Sequence, residues 1–142
     1  MAIYSKKIEL NSDIKNLTIV EATIDGLLND GLLNDEVYGN VIVASTEAVL
    51  NAFKHGNQND PSKKAAIDIL INENALEFTV SDEGSGFDHL SLPDPTDPEN
   101  LEKVNGRGIF IIKNLADTVE FLRNGATLKV TFNLRVKELV EA

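Results

Sequence analysis

The chain contains no cysteine among its 142 residues, which excludes a disulfide scaffold and thiolate metal sites and fits a reducing compartment. It has no apolar run near the roughly 20 residues needed to span a bilayer. Its start, MAIYSKKIELN, lacks the apolar stretch of a secretory leader. A cytoplasmic protein that does not engage a membrane is the expectation. Positive charge is scarce too: 13 Lys and Arg stand against 23 Asp and Glu, a formal net charge of -10. Such a surface repels a phosphate backbone or an anionic membrane, so direct nucleic-acid binding is not expected and a protein partner or small ligand is. No GxxxxGKS or GxxxxGKT occurs, so there is no P-loop, and the HRD and DFG signatures of ordinary protein kinases are missing.

What is present is enough for one globular domain, 1–142, with 42% hydrophobic and 25% charged residues. Alternation predicts strands over 6–11, 65–72 and 75–82, the last two joined by a turn at Glu73-Asn74, and a closing hairpin over 118–124 and 126–136 that turns at Asn124-Gly125. Ile14, Leu17, Val20, Ala22, Ile24 and Leu28 predict a first helix behind an N-cap at Ser12 or Asp13. A second helix is predicted from Asn34 or Asp35 to about His55, where Gly56 offers a stop. The stretch 57–63 reads as a polar turn, and 91–108, rich in Pro, Asp and Asn, as a long loop. GIFIIKNLAD, 108–117, resumes as a helix. The order predicts an α+β fold, a mostly antiparallel sheet covered on one face by about three helices.

Three constellations carry chemistry. On a wheel of the second helix, apolar residues occupy most of the circumference, and Glu36, Asn40, Glu47, Asn51 and Lys54 share one narrow stripe. A wet seam on an otherwise buried helix predicts a cleft. Glu47 and Asn51 stand one turn apart, where a carboxylate and an amide oxygen suit Mg²⁺ that keeps waters and phosphate ligands. Lys54 adds a cation for phosphate, with His55 as either a further phosphate contact or a helix-terminal cap. In VSDEGSGFD, 80–88, Asp82 ends a strand as a hydrogen-bond acceptor, and Gly84 and Gly86 let backbone approach a flat ligand. In NGRGIFII, 105–112, Gly106 and Gly108 precede an apolar helix whose free N–H groups face an anion such as a polyphosphate.

In this order the three boxes, ExxxNAxxH from Glu47 through Asn51 and Ala52 to His55, DxGxG from Asp82, and GxG at Gly106 and Gly108, resemble the GHKL (Bergerat-fold) ATPase family, especially its small anti-sigma-factor serine kinases. The resemblance spans nearly the whole chain. It implies a two-layer α/β sandwich that binds ATP with Mg²⁺ under a short ATP lid at about 88–105. It further implies that Asn51 holds Mg²⁺, with Glu47 reaching it through water and acting as general base. Asp82 then accepts from the adenine amino group, and Thr127 belongs to the adenine pocket. The implied partners are an anti-anti-sigma-like substrate and a sigma factor, and a homodimer is expected, although the N-terminal strand and helix with Ile3, Tyr4 and Ile8 equally complete the sheet and its cover. Some relatives carry an arginine just before the GxG box, where this chain has Val104-Asn105 and then Arg107 between the glycines. Arg107 substitutes for it, or the domain is a nucleotide-gated binding module without transfer.

Overall fold

The computed structural model describes residues 2–84, 104–123 and 126–134. Strand β1 is Ala2–Asn11, followed by a single 3-10 turn at Ile14–Asn16 and helix α1, Leu17–Asn29. Helix α2, Asp35–Asn51, continues into a widened π-helical turn at Ala52–Gly56. Strands β2, Lys64–Asn72, and β3, Ala75–Ser81, come next, then helix α3, Val104–Leu115, and strands β4, Thr118–Leu122, and β5, Thr127–Asn133. The five strands form one sheet in the order β1-β2-β3-β5-β4, every pairing antiparallel. The expected α+β class and the layer of helices on an antiparallel sheet are what the chain adopts.

Strand alternation divides the sheet cleanly. Ile67, Ile69 and Ile71 of β2, Leu76, Phe78 and Val80 of β3, and Leu128, Val130 and Phe132 of β5 are buried on one face. The other face carries a polar row across all five strands, Lys7, Asp68, Thr79, Lys129 and Glu120, each opposite its neighbour in register. On that face Lys129 pairs with Glu77 at 3.4 Å. Helix α2 lies between α1 and α3. Its face towards the core presents Ala44, Ala48 and Ala52, one turn apart and all buried, small enough to bring its backbone close.

The helices differ from expectation in instructive places. In α1 the core residues are Val20, Ile24 and Leu27, while Ala22 is exposed; at about 100° per residue Ala22 lies roughly 170° from the line through Val20, Ile24 and Leu27, on the opposite face. Asp13 caps the 3-10 turn and Asn34 caps α2 by accepting from Val37 N–H at 2.8 Å. The outer stripe of α2 is wider than the wheel implied, because Val43 lies on it, 43% exposed, beside solvated Glu36 and Asn40. Helix α3 begins at Val104, so Gly106 and Gly108 lie within its first turns instead of preceding it. The roughly 1 kcal/mol that each glycine costs a helix is offset by burial of Ile109 and Ile112. Gly86, the Asn124-Gly125 turn and most of the expected lid at 88–105 lie outside the described residues.

Phe78, fully buried on the central strand, is a direct test of this core. Phe78→Ala is expected to lower unfolding stability by about 3–5 kcal/mol, read from the midpoint of urea denaturation.

Candidate functional site

The end of α2 sets the site. After Asn51 the helix widens, and Asn57 N–H reaches back five residues to Ala52 O at 2.8 Å. Such π-turns rotate the residues that follow out of α-helical phase. Here Ala48, Asn51, Ala52, His55 and Gly56 all line one pocket. The left-handed exit expected at Gly56 is made later by Gln58 and Asn59, with φ of 52° and 57°. Gly56 is needed for a different reason. A Cβ there would sit 2.0 Å from Asp82 Oδ2. A Cβ on Gly84 would lie 2.3 Å from the Gly56 carbonyl oxygen. Two main-chain segments cross here with no room for a side chain.

Asp82 follows β3, and its N–H extends the ladder by one bond to Ala126 O at 2.9 Å. Its side chain therefore shares the pocket face with Val80 below it and with Ala126 and Leu128 of the neighbouring strand. Asp82 is 9% exposed, and its Oδ1 accepts from Gly84 N–H at 2.8 Å. Burial pushes its pKa above the usual aspartate value, while the Gly84 bond and the Arg123 guanidinium pull the other way. Phe121 closes the pocket from β4, with the Lys113 ammonium 5.7 Å from its ring centre. The walls are thus apolar, and Asp82, Asn51 and His55 are the groups that aim polarity inward.

His55 is half-buried, and its Nε2 is buried with no hydrogen-bond partner among the described residues. Burial, then the Lys54 ammonium, lowers its pKa from the ordinary histidine value. It offers a hydrogen bond or a flat face to a ligand. Lys54 itself is exposed. Gly108 packs against α2: a Cβ there would lie 3.4 Å from Glu47 Oε2 and 3.8 Å from Asn51 Oδ1. Glu47, Asn51 and Gly108, from two of the three sequence boxes, are brought together, two hard oxygens over one bare backbone position. That donor set fits Mg²⁺. Arg107 is exposed on α3.

Thr127 is not brought to the pocket. It is paired with Ser81, on the sheet face opposite Val80 and Leu128. Its Oγ1 lies 2.9 Å from Ser81 Oγ and accepts from Arg123 at 3.2 Å. Ala126, one residue earlier, takes the place on the pocket wall that the resemblance gave to Thr127. Sequence reasoning also missed Asn57, which reads as part of a solvated turn and is completely buried. Its place directly behind His55-Gly56 was the one signal available.

Among the described residues no helix is long and apolar enough to cross a membrane. Compared with known proteins, residues 10–133 match the histidine kinase-like ATPase domain family. A serine-protein kinase RsbW of Listeria monocytogenes serovar 1/2a is 25% identical over 99% of this chain and 96% of its own length. An anti-sigma F factor of Bacillus cytotoxicus is 34% identical over 82% of this chain and 84% of its own. The crystal structure of the RsbU and RsbW domains of Rv1364c from Mycobacterium tuberculosis aligns with a TM-score of 0.62 at 15% identity, over 92% of this chain. This chain spans 32% of that longer one, and the likeness there is one of fold.

The His55 shift has a sign that can be checked. Its folded pKa is below 6.5, so the unfolded chain takes up the proton first. The stability this provides is present above about pH 6.5 and is lost as pH falls through the folded value. Asp82, shifted upward, acts in the opposite sense nearer the carboxylate range. The thermal midpoint of the wild type is therefore expected to fall more between pH 7 and pH 5.5 than that of His55→Gln, measured by circular dichroism.

Proposed function

Because this chain belongs to the histidine kinase-like ATPase domain family, we propose that it is a single-domain, ATP-dependent protein serine/threonine kinase of the anti-sigma type. It phosphorylates an anti-anti-sigma-like protein and sequesters a regulatory partner such as a sigma factor. The observation that carries this reading is the polarity of the pocket. Asn51 on its wall also meets Gly108 beside Glu47, and Asp82 meets Gly56, five residues beyond Asn51. The names of the relatives, a serine-protein kinase and an anti-sigma factor, support the reaction and the partner class.

The base of the nucleotide enters between the apolar walls. Its amino group donates to Asp82, and its flat face passes the bare backbone of Gly56 and Gly84. The phosphates extend along α2 towards Asn51, Gly106 and Gly108, with the exposed cations Lys54 and Arg107 alongside. Asn51, and Glu47 through water, would hold Mg²⁺, which supplies neutralisation of phosphate charge when bound. The partner's hydroxyl oxygen attacks the terminal phosphorus and its proton passes to the Glu47 carboxylate. The bond from that phosphorus to the bridging oxygen breaks, and ADP leaves. A lid at about 88–105 would cover the phosphates.

A second reading, a nucleotide-gated binding module without transfer, is favoured by Val104-Asn105 standing ahead of the glycine pair in place of an arginine. The two are separated by incubating the protein with Mg-ATP and its partner. Glu47→Ala is expected to reduce phosphate transfer by roughly 100-fold or more while Mg-ADP still binds. Asp82→Asn is expected to weaken Mg-ADP about tenfold or more in calorimetric titration. Transfer by Glu47→Ala at the wild-type rate would remove that residue as the base. Nucleotide binding by the wild type without any transfer would select the second reading.

The proposal extends to a homodimer. Strand β1 is an edge of the sheet, and Ile3 on it, with Ile14 and Ile19 just beyond, remains exposed. Sedimentation at micromolar concentration is expected to give twice the chain mass; a single-chain mass would count against it.

A further inference from the structure

We propose that Asn57 is the positioning residue for Asp82, fixing the turn at 82–84 so that the carboxylate is presented to the base of the bound nucleotide; this rests on the nucleotide reading above. Asn57 has no exposed surface although Gln58 and Asn59, its neighbours, are exposed. A buried amide in a polar loop is costly unless its groups are used. All of them are. Its Nδ2 donates to Ser12 Oγ at 2.9 Å and to Lys64 O at 3.1 Å, and its Oδ1 accepts from Glu83 N–H at 2.8 Å.

The two ends of this side chain do different things. The donor end ties the chain after α2 to the end of β1 and the start of β2, where Ser12 Oγ also donates to Lys63 O at 2.9 Å. That framework would close without any link to Glu83. The acceptor end reaches only the turn that follows β3. There the next amide, that of Gly84, donates to Asp82 Oδ1 at 2.8 Å, so two consecutive N–H groups are committed, one to Asn57 and one to Asp82 itself. Rotation of the peptide before Glu83 would release the first, shift the second and swing the carboxylate away from Gly56. The Glu83 side chain adds a second tether by accepting from Lys64 N–H. Asn57 therefore acts on the ligand through the orientation of Asp82, without touching the pocket itself.

The test is calorimetric titration of Mg-ADP into the wild type, Asn57→Ala, Ser12→Ala, Asp82→Asn and the Asn57→Ala/Asp82→Asn double variant. Each is confirmed folded at the titration temperature by circular dichroism. Asn57→Ala is expected to weaken binding about tenfold or more. Ser12→Ala cuts only the framework end and is expected to bind within about twofold of wild type even though it melts earlier. In the Asp82→Asn background, Asn57→Ala is expected to add less than about threefold, because both changes remove one interaction. If Asn57→Ala does not fold, Asn57→Ser, too short to span both ends, takes its place with the same expectation. Binding by the Asn57 variant within twofold of wild type, or a full additive loss in the double variant, overturns the proposal. If the wild type does not bind Mg-ADP at all, the nucleotide reading itself falls, and the proposal with it.

Discussion

Two stretches of main chain cross in direct contact where α2 unwinds, and the pocket exists because nothing but hydrogen occupies the crossing. Any side chain at Gly56 would overlap Asp82, and any at Gly84 would overlap the Gly56 carbonyl. The approach is prepared on both sides. Ala44, Ala48 and Ala52 let the helix settle into the core, and the bond from Asp82 N–H to Ala126 O carries the sheet one residue further, so that the carboxylate arrives over the glycine. Burying that carboxylate costs free energy, part of which the Gly84 N–H offsets.

Charge is sorted across the sheet to suit such a pocket. A chain with a net charge of -10 is a poor host for a polyphosphate unless its acids are kept elsewhere. Asp68, Glu77 and Glu120 lie on the open face of the sheet, away from the helices, where Lys129 pairs with Glu77. On the helical side Asp82 stands in an apolar setting, burial lowers the His55 pKa, and the exposed cations Lys54 and Arg107 sit near Asn51 and Gly108 in sequence.

The strands were legible because a half-buried sheet writes a period of two into the sequence, and β2 and β3 do so along their whole length. The boxes were legible because Glu47, Asn51, Asp82 and Gly108 each need a particular atom, or the lack of one, at a particular place. What could not be read were features decided by contacts distant in sequence. Asn57 is indistinguishable from the loop around it until Ser12, Lys64 and Glu83 arrive from three other elements. Thr127 and Ala126 differ by one residue, and only the register of β5 against β3 says which faces the pocket. Gly56 looked like a helix stop, yet its reason is a partner 26 residues away.

The widened turn at Ala52–Gly56 also makes chain length at this point a quantity under tight control. A single-residue deletion between Asn51 and Asn57 would leave an ordinary α-helical turn, in which Ala52, His55 and Gly56 could not all keep their places on the pocket wall. A few residues later, around Gln58 to Ser62, the chain is exposed and joined mainly by local bonds, and changes of length there are absorbed by solvent. The boundary between a segment that tolerates no gap and one that tolerates many therefore falls immediately after Asn57.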